Sequence, residues 1–165
     1  MSRIPTPKGG AHPTRQFTEI LALLLNRVLS PFVLGNGGTA GNAALTVPLN
    51  DMDLAFIING RQYALAPGAG TAVSDDLFDL SAFVDLTAGQ YCKVLFTLTT
   101  AGAGKAYRGD VAASQAAAVL PEVPDDEAMV GYATAGSAGA GVDWDDVGGL
   151  AGQGIGYVYG IFGAL

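Results

Sequence analysis

Leu54-Ala55-Phe56-Ile57-Ile58-Asn59-Gly60-Arg61-Gln62-Tyr63-Ala64-Leu65 decides the fold class of this 165-residue chain. Two five-residue runs, the first rich in β-branched and aromatic side chains, flank Asn-Gly, the dipeptide that best tolerates the positive φ angles of a tight two-residue turn. The segment predicts an antiparallel hairpin. Toward the C-terminus the same pattern returns. Val94 to Thr100 and Lys105 to Arg108 flank Ala101-Gly102-Ala103-Gly104, Met129 to Thr134 reads as another strand, and Ile155 to Phe162 as the last, with glycines at 156, 160 and 163. Ala-rich Val111 to Leu120 predicts a short helix that stops at Pro121. Short strands joined by small-residue turns predict a mainly β protein, a small antiparallel β-sandwich or barrel-like domain over residues 44–165. Alanine and glycine supply 51 residues, so much of the 50% hydrophobic content is small side chains serving turns and close packing.

Toward the N-terminus the character changes. Residues 1–30 hold Arg3, Lys8, Arg15 and Arg27 against Glu19, a net of +3, whereas residues 31–165 hold 4 bases against 14 acids, a net of −10. Residues 1–13, with three prolines and Gly9-Gly10, predict a flexible basic arm. Thr14 is suited to cap a helix. Phe17, Leu21, Leu24 and Val28 then recur at spacings of 4, 3 and 4, with Ile20, Leu25 and Leu29 widening the stripe, which predicts an amphipathic helix over 14–30. Ser30-Pro31 ends it, because proline disfavours helix in the residue before it. The apolar stripe either packs on the chain's own β domain or forms a seam with a partner. Arg3, Lys8, Arg15, Phe17, Leu21, Leu24 and Val28 are therefore the candidate assembly interface. Residues 31–43, with Gly35-Asn36-Gly37-Gly38-Thr39-Ala40-Gly41, predict a linker. Ala40 stands where a dinucleotide-binding turn needs its third glycine.

Side chains that carry chemistry are scarce. His12 is the only histidine and lies in the arm, where it cannot be held as a general base. Cys92, the only cysteine, sits in an apolar strand pattern and reads as a buried structural thiol. One histidine and one cysteine do not make a zinc site. Three acidic clusters stand out: Asp75-Asp76 with Asp79, Asp125-Asp126-Glu127, and Asp143 with Asp145-Asp146. The last resembles the opening of a calcium loop, but Val147 and Gly154 occupy ligand positions. Solvated loop charge is the default for this last cluster, and Asp125 to Glu127, after Pro124, starts a turn or caps an edge. Trp144, between two aspartates, reads as a cover over the edge of a small core. Arg108-Gly109-Asp110 spells an adhesion tripeptide beside a strand end. No cofactor is expected. An acidic main domain disfavours nucleic acid, and no run of about 20 apolar residues suits a membrane span. No secretion signal is visible, so synthesis in a cytosol is expected.

One stretch carries a likeness. Gly89-Gln90-Tyr91-Cys92-Lys93-Val94-Leu95-Phe96-Thr97-Leu98 leads through a turn to Gly109-Asp110, then Ala116-Ala117-Ala118-Val119-Leu120-Pro121-Glu122-Val123-Pro124 and Val130-Gly131-Tyr132, with Ile58-Asn59-Gly60-Arg61-Gln62-Tyr63 upstream. Over roughly residues 54–134 the chain resembles small structural proteins of tailed bacteriophages, especially head decoration (cement) proteins and head-fibre base domains. The resemblance implies a non-enzymatic virion protein on the capsid surface. It would be made in the host cytoplasm, be commonly a homotrimer, and be held to the major capsid protein through its N-terminal segment. It carries over no catalytic residues. A tail-fibre, baseplate or adaptor subunit is the alternative expectation, and a carbohydrate-binding module or enzyme using the acidic loops and Trp144 is a third.

Overall fold

The computed structural model describes residues 27–29, 32–36, 41–46, 53–66, 72–145 and 156–159. These residues form ten strands and no helix: β1 Arg27–Val28, β2 Val33–Asn36, β3 Asn42–Thr46, β4 Leu54–Ile58, β5 Arg61–Leu65, β6 Ala72–Asp79, β7 Cys92–Thr99, β8 Gly104–Arg108, β9 Glu127–Ala135 and β10 Gly156–Tyr159. The protein is mainly β. The larger sheet runs β5-β4-β1-β9-β7-β8, with β10 also paired to β9, and the smaller runs β2-β3-β6. Every pairing is antiparallel except that of β1 with β9.

The two sheets close on one core. Leu34, Ala43 and Phe78 from the small sheet pack with Leu54, Phe56, Ile58, Val94, Phe96, Leu98, Ala128 and Val130 from the large one. The Phe78 and Phe96 rings meet edge-on across the gap at 5.0 Å, a geometry aromatic pairs prefer. The hairpin forms as its sequence predicts. Asn59 and Gly60 take φ of 51° and 74°, which makes the turn, and Leu54, Phe56 and Ile58 alternate into the core.

Strand β9 faces the core through Ala128 and Val130, then through Ala133 and Ala135. That switch of phase requires an extra residue, and the pairing with β7 slips between Phe96↔Gly131 and Thr97↔Met129. It is a β-bulge. The inner face of β7 presents Cys92, Val94, Phe96 and Leu98 to the core. Its outer face is covered too, since Leu95 and Thr97 have no exposed surface. The 109–126 segment is tied to this sheet. Ala112 exchanges two backbone hydrogen bonds with Tyr91, at 2.9 and 2.8 Å. Gln115 donates to the Thr134 hydroxyl at 3.4 Å. A Cβ on Gly109 would stand 2.4 Å from the Val119 carbonyl oxygen, so only glycine admits the segment there.

Several local expectations are corrected. The helix over 14–30 lies outside the described residues except at its end, where Arg27–Val28 is a strand instead. Val28 suits either conformation locally; the unpaired backbone edges of β4 and β9 decide between them, and Val28 fills the core between those strands. The linker over 31–43 contains β2 and the start of β3, which pair from Val33↔Thr46 to Asn36↔Ala43. Gly35 lies within β2, opposite Ala44. The β domain therefore takes in Arg27–Val28 and Val33–Asn36 and is not confined to residues from 44 onward. Val111 to Leu120 forms turns rather than a helix. An Ala-rich run that short is marginal alone, and the Tyr91–Ala112 bridge draws it onto the sheet. Asp75, Asp76 and Asp79 lie in strand β6.

Candidate functional site

The most organised polar cluster lies on the outer face of the large sheet and centres on Glu127, the first residue of β9, whose side chain is 2% exposed. The register sets it diagonally across from Thr97, because Glu127 is opposite Thr99 and Thr97 is opposite Lys105. Thr97, Lys105 and Tyr107 alternate onto this face, and all three donate to the carboxylate. The Thr97 hydroxyl donates to Oε2. Lys105 Nζ and the Tyr107 hydroxyl donate to Oε1, at 2.7 and 2.8 Å.

Burial by itself would push the Glu127 carboxyl up. The hydrogen bonds from Lys105, Thr97 and Tyr107, with the charge of Lys105, outweigh it and hold the group below the usual carboxylate range. Lys105 is raised by its hydrogen bond to Glu127 and by that carboxylate's charge. Tyr107 is raised by burial and then by Glu127. Glu127 is thus ionised, and three donors from β7 and β8 engage its two oxygens. A carboxylate so engaged is poorly placed to take a proton from a substrate. What the arrangement does is tie three strands together beside the β9 bulge.

A second constellation ties two loops to the end of β8. The Val84 carbonyl accepts from Trp144 Nε1 at 3.0 Å and from the Arg108 guanidinium at 2.7 Å. Asp85 accepts from the Trp144 backbone N–H at 3.1 Å, and Leu86 pairs with Val142. The Trp144 indole is buried edge-on to Phe83, with ring centres 5.4 Å apart. Trp144 is the core cover its sequence context suggests, and a glycan could not stack on it. Arg108 of the adhesion-like tripeptide is held against its own chain. Asp143 accepts from the Asp145 N–H at 2.9 Å. Among the described residues no three His, Cys, Asp or Glu side chains converge as metal ligands.

Of the candidate interface, Arg3, Lys8, Arg15, Phe17, Leu21 and Leu24 lie outside the described residues. Val28 is corrected: it is 7% exposed, inside the domain's own core, and offers no surface to a partner. The Glu127 cluster was not foreseeable from motifs. Its members lie on three strands and meet only through register, and the one local signal was an acid directly before the apolar strand Ala128 to Val130.

No family model, no curated protein and no solved structure matches this chain.

Proposed function

We propose that this chain is a structural protein of a phage virion, a decoration (cement) protein that binds the outer surface of the head as a homotrimer and stabilises it. Its partner is the major capsid protein, and it acts without catalysis or cofactor. The observation that carries this is the way the N-terminal segment joins the domain. Residues 1–26 carry Arg3, Lys8 and Arg15 with an apolar stripe, and they lead directly into β1. That strand is held inside the large sheet between β4 and β9 rather than at its rim. A contact made by the basic segment is therefore transmitted into the middle of an acidic domain. Many copies on one shell make weak individual contacts sufficient.

The test is co-sedimentation of the full protein with expanded capsids that lack it. Saturable binding at hundreds of copies per shell is expected, and reversing Arg3, Lys8 and Arg15 to glutamate should abolish it. Failure of the wild-type protein to sediment with any capsid of its phage would refute the proposal, and a copy number of a few tens or fewer per virion would move the protein to the tail.

A further inference from the structure

The turn between β4 and β5 sets a chemically labile pair of residues in water. Of the five asparagines in the chain, only Asn36 and Asn59 precede a glycine. Asn36 is held in β2, with its backbone opposite Ala43. Asn59 stands at the hairpin tip, and both it and Gly60 are exposed. The ladder ends at the Ile58↔Arg61 pair, so the two turn residues lie outside it. Among the described residues no backbone carbonyl accepts from the Gly60 N–H. Gly60 also has no Cβ to shield its nitrogen, and its φ of 74° costs a glycine little. On either side the strands are anchored, by Ile58 at 1% exposure and by the Phe56–Tyr63 stack with ring centres 5.6 Å apart. Movement of the tip is thereby confined to two residues, and it breaks no rung of the ladder.

We propose that Asn59 is a site of self-modification, at which the Gly60 nitrogen attacks the Asn59 carboxamide and converts it, through a succinimide, to aspartate and isoaspartate. Asparagine is among the thermolabile side chains, and here both reacting groups belong to adjacent residues. Rotation about the Asn59 Cα–C bond brings the Gly60 nitrogen behind Cγ. As its proton leaves to solvent, that nitrogen bonds to Cγ. The Cγ–Nδ2 bond breaks, and Nδ2 takes up a proton and departs as ammonia, leaving a five-membered imide. Water then opens the imide at either carbonyl. Cleavage of the Cγ–N bond restores the original chain path with an aspartate side chain. Cleavage at the main-chain carbonyl leaves the chain running through Cβ and Cγ, as isoaspartate. One water enters and one ammonia leaves, nothing is oxidised or reduced, and no enzyme, metal or partner is required.

The two products act differently on the fold. Aspartate, like asparagine, tolerates the φ of 51° found at Asn59. The hairpin survives with one more negative charge on a chain whose net charge is −7. Isoaspartate lengthens the backbone by one carbon within a turn whose two residues fix the register of the strands. The extra length falls on the Ile58↔Arg61 pair and on the placement of the buried Phe56 and Ile58.

The test is peptide mapping by tandem mass spectrometry on the full-length protein, kept folded at mildly alkaline pH and sampled over weeks, beside the same chain unfolded in urea. In the folded protein Asn59 should gain about 1 Da, the exchange of an amine for a hydroxyl, with isoaspartate among the products and Asn36 unchanged over the same period. Gly60→Ala places a Cβ beside the attacking nitrogen and should slow the conversion at Asn59 severalfold in urea, where strain in the turn plays no part. Asn59→Asp stands for the aspartate product and should keep the wild-type thermal midpoint, whereas the isoaspartyl form, isolated by chromatography, should melt lower. An Asn59 that stays intact in the folded protein while the unfolded chain converts would overturn the inference. So would a product free of isoaspartate, a conversion at Asn36 as fast as at Asn59 in the folded protein, an unslowed Gly60→Ala, or an isoaspartyl form with the wild-type midpoint.

Discussion

Replacing Glu127 by alanine removes the acceptor for Thr97, Lys105 and Tyr107 at once. Lys105 is half exposed and returns to water. Thr97 cannot, since its side chain is fully buried, and an orphaned buried hydroxyl costs about 1–3 kcal/mol. Tyr107 is partly exposed and contributes nearer the lower end of that range. Glu127→Ala should therefore lower the unfolding free energy by roughly 3 kcal/mol, a large part of the ~5–15 kcal/mol typical of a domain. The assay is urea unfolding followed by Trp144 fluorescence, which reports the core because the indole is buried. Adding Thr97→Val to Glu127→Ala removes the stranded hydroxyl and should recover about 1 kcal/mol, whereas Thr97→Val alone should destabilise. Two results would refute the reasoning: a loss below about 0.5 kcal/mol in Glu127→Ala, or strict additivity of the two substitutions.

Two further outcomes follow from ionisation. Glu127 is lowered in the folded state, so its contribution is present above its unfolded pKa, about 4.3, and is lost as pH falls through the folded value; Lys105 and Tyr107 are raised, so theirs is present below their unfolded values near 10 and is lost as pH rises through the folded ones. Stability measured from pH 2 to 11 should decline at both ends, and Glu127→Gln should flatten both limbs; an unchanged profile in that variant would contradict the assignment. The Cys92 thiol is pushed up to about 11, first by burial and against the opposing charge of Arg108, so a thiol reagent at pH 8 should label native protein far more slowly than protein in 6 M guanidinium, a solvent in which roughly the ordinary thiol pKa of ~8.5 applies. Equal rates would place Cys92 at the surface.

The sequence by itself determined the strand class and the strands whose cues are local. Leu54 to Leu65 carries its own turn and its own alternation, and the structure reproduces both because neither depends on a distant partner. The burial of Cys92 and Trp144 was also legible, from apolar neighbours in one case and from size and setting in the other. Tertiary structure decided wherever a segment's state depends on an edge supplied from elsewhere. Arg27 and Val28 extend the periodicity of a helix, yet the gap between β4 and β9 takes them as a strand, since paired backbone groups and a buried Val28 outweigh a weak local preference. Gly35 and Asn36 look like linker until they pair with Ala44 and Ala43. The Ala-rich run after Val111 forms turns because the bridge between Ala112 and Tyr91 ties it to the sheet. Glu127 shows the limit most sharply. As sequence it is one acid in a row of three; only the register of β7, β8 and β9 brings Thr97, Lys105 and Tyr107 onto its oxygens, and register is fixed by the whole sheet.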